Sequence, residues 1–253
     1  MPETVTMRFR TGGTTIEATA EVPPEPISVA NLVPFLQAVE ESVVETACND
    51  VAASGRTISC RAGCGACCRQ IVPVSLAEVE YLARFVAGLP EAERTTVERR
   101  FAEALDALER AGLADELRAA NTWRDESATH ALGVRYFLAG VACPFLVHES
   151  CSIHPHRPLA CREYLVTSPA SHCAAPENNP IERVAVPRDL SRALYRLGDG
   201  ADTSVRWAPL VLLLEWARAH GPLPTAPAKQ ILASLARQVA GAPDAGGPPA
   251  SGA

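Results

Sequence analysis

Aromatic side chains are scarce, at 5% of 253 residues. A β-sandwich core leans on aromatic and β-branched residues, whereas the alanine, arginine and glutamate abundant here favour helices. Long apolar runs are missing too. The most apolar stretch, Ala208 to Leu214, is far too short to span a bilayer. The N-terminus has no basic region followed by an apolar core, which excludes a signal peptide and makes a cytoplasmic location the expectation. No basic run stands out, and the formal charge is −6. The arginines between Arg94 and Arg110 alternate with glutamates, as on a solvated helix face. The chain thus has no general attraction for nucleic acid or for an anionic membrane. No Ser–His–Asp arrangement, phosphate-binding loop or internal repeat is found, since Gly63-Cys64-Gly65 is too short and too cysteine-rich to cradle a nucleotide.

Cysteine is what the chain does have: nine residues. In a reducing compartment such a set points to metal binding or redox chemistry rather than to a disulfide framework. Eight of the nine fall in two segments. The first reads Cys60-Arg-Ala-Gly-Cys64-Gly-Ala-Cys67-Cys68. The second holds Cys143-Pro-Phe-Leu, Cys151-Ser-Ile-His154-Pro-His156-Arg157-Pro158-Leu-Ala-Cys161-Arg162, and His172-Cys173. The thiolate is the metal-binding form, and short spacings let one loop deliver several sulfurs to one ion. Gly63 and Gly65 let the backbone wrap close to such a site. Arg61, Arg69, Arg157 and Arg162 stand beside the cysteines, where guanidinium groups would offset thiolate charge and N–H donors would tune a cluster. Cys67 and Cys68 are adjacent, and neighbouring side chains usually diverge. The pair either splits between two centres or gives one ligand and one bridging or redox-active thiol.

Around these segments the chain patterns as helix. Residues 4–22 alternate, with Val5, Met7 and Phe9, then Ile16, Ala18, Ala20 and Val22, on either side of Gly12-Gly13, which predicts a β-hairpin. A proline-rich hinge follows, and residues 1–26 form this first unit. Residues 27–240 form a helical cysteine-cluster domain with its core at 56–175, and a disordered tail occupies 241–253. Ser28 is placed to cap a helix bearing Leu32, Phe35, Leu36, Val39, Val43 and Val44, with Cys48 near its end as a small buried hydrophobe. Ser75-Leu76-Ala77-Glu78 is a capping box opening the next helix. Further helices are expected near 91–111, in part of 113–135 with Trp123 as a packing residue, and at about 188–197, 207–220 and 226–240. The fold class is therefore mainly α, with irregular cysteine-bearing loops and a small N-terminal β-hairpin, organised by metal as a single domain. Metal–ligand bonds would stand in for the apolar core that the loops lack.

With those residues quoted, the chain resembles the YkgJ-type CxxCxxCC cysteine-cluster family, described as a zinc- or iron-chelating domain. The resemblance rests on Cys60, Cys64, Cys67-Cys68, Cys143-Pro144-Phe145-Leu146, Cys151-Ser-Ile153, Arg157-Pro158, Cys161-Arg162 and Cys173, and covers roughly residues 56–175. It departs at Cys60, where three residues intervene before Cys64 and the family name implies two. What it implies is metal chelation, by an iron–sulfur cluster or Zn2+. Bacterial flagellin lysine methylases carry a similar cysteine motif, which keeps an enzyme in view.

Three readings follow. One is a metal-binding protein, iron–sulfur or zinc, with a redox or metal-handling role. Another is an iron–sulfur-dependent enzyme that modifies protein or peptide. The third is a zinc-stabilised interaction module. The spacing Cys60-x3-Cys64-x2-Cys67 also matches radical-SAM enzymes, but that chemistry needs a βα-barrel and the chain downstream reads as helices. His154, His156 and His172 are open to three roles, as metal ligands, as donors to thiolates, or as plain loop histidines, the last favoured because enough cysteines already exist. The sequence leaves open the metal, the number of centres, the protein partner or substrate and the oligomeric state.

Overall fold

The computed structural model describes residues 1–11, 14–119, 126–176, 178–197 and 207–241. The Gly12-Gly13 link, Trp123 and the tail beyond Gly241 lie outside the described residues.

The alternating N-terminal residues form an antiparallel hairpin, β1 (Glu3–Thr11) with β2 (Thr14–Val22), in a register that pairs Glu3 with Val22 and Phe9 with Ile16. Period-2 alternation puts Val5, Met7, Phe9, Ile16 and Val22 on one buried face. A short strand β3 (Ile27–Ser28) follows, and the Ser28 hydroxyl accepts from the Ala30 N–H at 3.2 Å, capping a 3-10 turn at Val29–Leu32. That turn leads into α1 (Val33–Ala53), whose Leu36, Val39, Val43 and Ala47 repeat at helical spacing and are buried.

Beyond the first cysteine segment come β4 (Pro73–Val74) and α2 (Leu76–Ala87), which opens on the expected capping box. Next are α3 (Glu91–Arg110), α4 (Ala114–Ala119) and α5 (Glu126–Leu138). The second cysteine segment contains a minimal hairpin, β5 (Leu146–Val147) with β6 (Ser150–Cys151), the short helix α6 (Leu159–Glu163), and 3-10 turns at His154–His156 and Ala170–Ala174. The chain finishes with α7 (Leu190–Tyr195), β7 (Ala208–Pro209), α8 (Leu213–His220), β8 (Thr225–Ala226) and α9 (Ala228–Gly241). Strand β4 pairs with β7, and β3 with β8, so sequence-distant ends are stitched together.

Two apolar cores result. One gathers α2, α3, α4, α5 and α8 around Leu82, Phe101, Leu108 and Leu213. The other gathers the hairpin, α1, α7 and α9 around Met7, Leu36, Leu190 and Leu235. Tyr81 of α2 packs against both. The second cysteine segment bridges them: Phe145 and Ile153 belong to the first core, Leu159 to the second. The fold is mainly helical with a small N-terminal hairpin, as the sequence implies. Cys48 departs from expectation. It is partly exposed on α1 and belongs to neither core.

Candidate metal centre

The first cysteine segment has almost no regular structure, because glycines rather than apolar residues shape it. Gly63 takes φ +81°, a left-handed conformation that suits glycine, and the Cys64 N–H then folds back to the Arg61 carbonyl at 3.1 Å. A single 3-10 turn, Ala66–Arg69, carries Cys67 and Cys68. Gly65, just before it, is a point of close approach. A Cβ there would lie 2.6 Å from Glu149 Oε2 and 2.8 Å from Leu146 Cδ1. The turn therefore presses onto the β5–β6 hairpin. Arg69 fastens the contact, donating to both Glu149 carboxylate oxygens at 2.9 and 2.6 Å and to the Gly65 carbonyl at 3.0 Å.

The second segment is held from below by buried polar groups. The Cys143 N–H donates to the Cys68 carbonyl at 2.7 Å, which joins the two cysteine segments directly. The β5–β6 turn uses His148 (φ 49°) and Glu149 (φ 58°), both left-handed, as a two-residue hairpin link requires. Past it, Gln37 of α1 donates to the His156 and Arg157 carbonyls at 3.1 Å each. Arg162 donates to the Pro155 and Arg157 carbonyls at 2.7 and 3.2 Å. Glu78, besides closing its capping box, accepts the Leu159 N–H at 2.8 Å with its other oxygen. The same carboxylate thus satisfies free N–H groups at the starts of both α2 and α6. Cys161 rides on α6 and is positioned by it.

Eight thiols converge on one cavity of about 790 Å3: Cys60, Cys64, Cys67, Cys68, Cys143, Cys151, Cys161 and Cys173 all line it, and Cys48 does not. The thiols ring this space. Among the described residues no three His, Cys, Asp or Glu side chains close into a ready single-ion site. Interaction between the adjacent Cys67 and Cys68 thiols favours one thiolate in the pair: it lowers Cys67 to about 7 and pushes Cys68 up. The remaining shifts are dominated by desolvation. Burial pushes Cys143 up to about 12 and raises Cys60, Cys151, Cys161 and Cys173, with neighbouring sulfurs adding repulsion. Cys143 and Cys161 keep some accessible surface only because they look into the cavity. Buried thiols of this kind ionise fully only when a cation arrives to offset the charge.

The four flagged arginines separate. Arg157 lines the cavity and lowers the thiols of Cys60, Cys67, Cys151 and Cys161, and its Nε is buried without a hydrogen-bond partner. Arg162 is buried and acts on Cys151. Arg69 is committed to Glu149, and Arg61 stands exposed at the cavity lining. His156 is bonded to the Tyr81 hydroxyl at 2.6 Å and packs on Phe85, while His172 Nδ1 meets the Pro180 carbonyl at 2.8 Å. Of the three flagged histidines, only His154 lines the cavity, and Arg157 beside it lowers its pKa. Sequence reasoning missed Glu149 and Arg183. Arg183 sits over the Tyr164 ring at 4.9 Å on the cavity wall. Nothing in the local pattern marks either one.

The residues present fit a thiophilic metal group, since a set of eight thiols surrounds one space and an arginine nitrogen without a partner stands beside them. Residues 59–179 match the family model CxxCxxCC, "Putative zinc- or iron-chelating domain". The matched stretch takes in all eight cavity cysteines and leaves out Cys48. Comparison with curated proteins and with solved structures gave no match.

Proposed function

We propose that this chain, which carries a CxxCxxCC domain at residues 59–179, chelates iron, as an iron–sulfur group, or zinc in the cysteine-lined cavity and serves a redox or metal-handling role in the cytoplasm. The convergence of eight thiols on a single cavity carries the reading. Cys60, Cys64, Cys67, Cys68, Cys143, Cys151, Cys161 and Cys173 supply the sulfurs. Arg157 offsets the accumulated thiolate charge from the cavity wall, the buried Arg162 from behind it, and Arg61 from the exposed edge. Arg69 acts at one remove, holding the Cys67–Cys68 turn against the hairpin through Glu149. When bound, an iron–sulfur group supplies electron transfer and zinc supplies structural closure.

Metal analysis with an absorption spectrum, on protein purified without oxygen, tests this. A brown protein absorbing near ~400 nm with iron bound through sulfur supports the iron form. Colourless protein with stoichiometric zinc that unfolds on chelation supports a zinc-stabilised interaction module instead. Protein with neither metal defeats the proposal.

A catalytic role is the second reading, and the cavity's size favours it. At about 790 Å3 it falls within the range of roughly 300–1,000 Å3 typical of small-ligand pockets. Its walls also carry Tyr164, Arg183, Ser191 and Tyr195. Under this reading an added peptide or small-molecule substrate perturbs the spectrum of the bound metal.

A further inference from the structure

The eight thiols are not equivalent in their surroundings. Cys143 and Cys151 share one hairpin: the Leu146 N–H turns back to the Cys143 carbonyl at 2.8 Å, and Leu146 pairs with Cys151 across the strands. Cys68 is tied to that hairpin by its carbonyl, which accepts the Cys143 N–H at 2.7 Å. Cys161 looks into the same cavity from α6, whose first N–H is anchored on Glu78.

The other thiols belong to a different corner. The chain ahead of Cys60 is clipped to the strand-like run 165–167: the Ser59 N–H reaches the Val166 carbonyl at 2.9 Å, and the Ser59 hydroxyl reaches the Thr167 carbonyl at 3.2 Å. The turn Ala170–Ala174, which carries Cys173, packs against the Ala66–Arg69 turn. The Ala66–Arg69 turn, which carries Cys67 and Cys68, touches both groups: the Cys173 turn by packing and the Cys143 hairpin by the Cys68 carbonyl.

We propose that the eight cysteines build two four-thiolate centres, Cys60, Cys64, Cys67 and Cys173 in one and Cys68, Cys143, Cys151 and Cys161 in the other, which meet at the Cys67–Cys68 peptide. Four thiolates are a full set for a tetrahedral zinc site or for an iron–sulfur cluster. The adjacent pair is then the seam, giving one sulfur to each side. The two centres are unequal in support. The second is framed by a hairpin and a helix rooted in apolar cores, while the first is assembled from two turns. This inference rests on the chelation reading.

The test uses the full chain, purified anaerobically and loaded either with zinc or with iron and sulfide, and reads metal per chain and absorption. Cys173→Ser and Cys60→Ser report on the first centre, Cys151→Ser and Cys161→Ser on the second. Each single variant is expected to retain about half the wild-type metal, and a variant altered in both centres to retain none. The spectra of a first-centre and a second-centre variant should sum to that of the wild type. Using two variants per centre, with circular dichroism on each, separates metal loss from misfolding. Complete loss of metal in correctly folded single variants from both groups would mean one shared centre and overturn the division. So would wild-type protein that binds one centre's worth of metal and keeps it when either group is changed. Wild-type protein that takes up no metal defeats the chelation reading itself, a different failure from either of these.

Discussion

Between residues 54 and 73 only Gly65 is buried, whereas the segment from Cys143 to Glu163 buries Pro144, Phe145, Ile153, Pro158, Leu159, Arg162 and Glu163. The first delivers four cysteines to the cavity and the second three, with Cys173 following beyond Glu163. The second is rooted in two apolar cores and in the carboxylate of Glu78 and the amide of Gln37. The first is pinned from outside by the Cys68–Cys143 backbone bond, the Arg69–Glu149 clasp and Ser59. Stability is uneven across a structure, and segments with few buried apolar contacts open first. The contrast predicts a division of labour: the second segment keeps its backbone without a ligand, and the first is ordered by what binds there.

The sharpest way to break this contrast is Leu159→Ala. Leu159 is fully buried at the start of α6, and its truncation is expected to remove about 2–5 kcal/mol from unfolding free energy measured in urea. A loss under about 1 kcal/mol would mean that the second segment is not rooted in the core. Stripping the metal with a chelator comes next. Hydrogen exchange in residues 56–72 should speed up at least about tenfold, equivalent to about 1.4 kcal/mol, while residues 143–163 change little. Equal deprotection of both segments would erase the distinction.

Gly65→Ala acts on the junction itself. The added methyl meets Glu149 Oε2 and Leu146 Cδ1 inside contact distance, with Glu149 Cα at 3.3 Å, so the turn must lift off the hairpin. The expected loss is about 1–3 kcal/mol, with weaker metal uptake. Unchanged melting and metal content would remove the close approach from the account.

A smaller effect tests the scaffold behind the second segment. Glu40 is fully buried, neither carboxylate oxygen has a hydrogen-bond partner, and burial first, then the nearby Glu163, pushes its pKa well above the ordinary carboxyl range. A carboxyl raised in the folded state contributes stability that is complete below its unfolded pKa and is lost as pH rises toward the folded value. Stability should therefore fall from about pH 5 upward, and Glu40→Gln should flatten that slope in melting curves. A slope that persists unchanged would assign the pH dependence to other groups. Smallest of all, Cys48→Ser should leave metal content unchanged and stability within about 0.5 kcal/mol. Loss of metal in that variant would contradict the exclusion of Cys48 from the cavity.

Much of this was legible in the residues. The capping box at Ser75 and Glu78, the period-2 hairpin and the 3.6-residue stripes of α1 to α3 are local consequences of side-chain chemistry, so they survive translation into structure. Clustering sets eight cysteines apart from Cys48, and the same eight line the cavity, because short spacings bring side chains to one place. The burial of Cys48 was overstated, since helical spacing alone does not say which side of the stripe a residue at its edge will take.

Other features depend on contacts between distant residues. Cys67 and Cys68 act on each other's thiols within a 3-10 turn, not an extended strand. Glu149 is a partner of Arg69 only through a left-handed hairpin turn eighty positions away. The division of four similar arginines into Arg157 facing the thiols and Arg69 facing away from them rests on Gln37, Glu78 and Arg162 fixing the backbone around it. By itself, then, the sequence determined a helical scaffold and the eight thiols that belong together, because both are written in local spacing. Which thiol neighbours which, and which charges look at them, was decided only when residues far apart in the chain packed against one another, since the range of those interactions is a few ångströms in space and tens of residues in sequence.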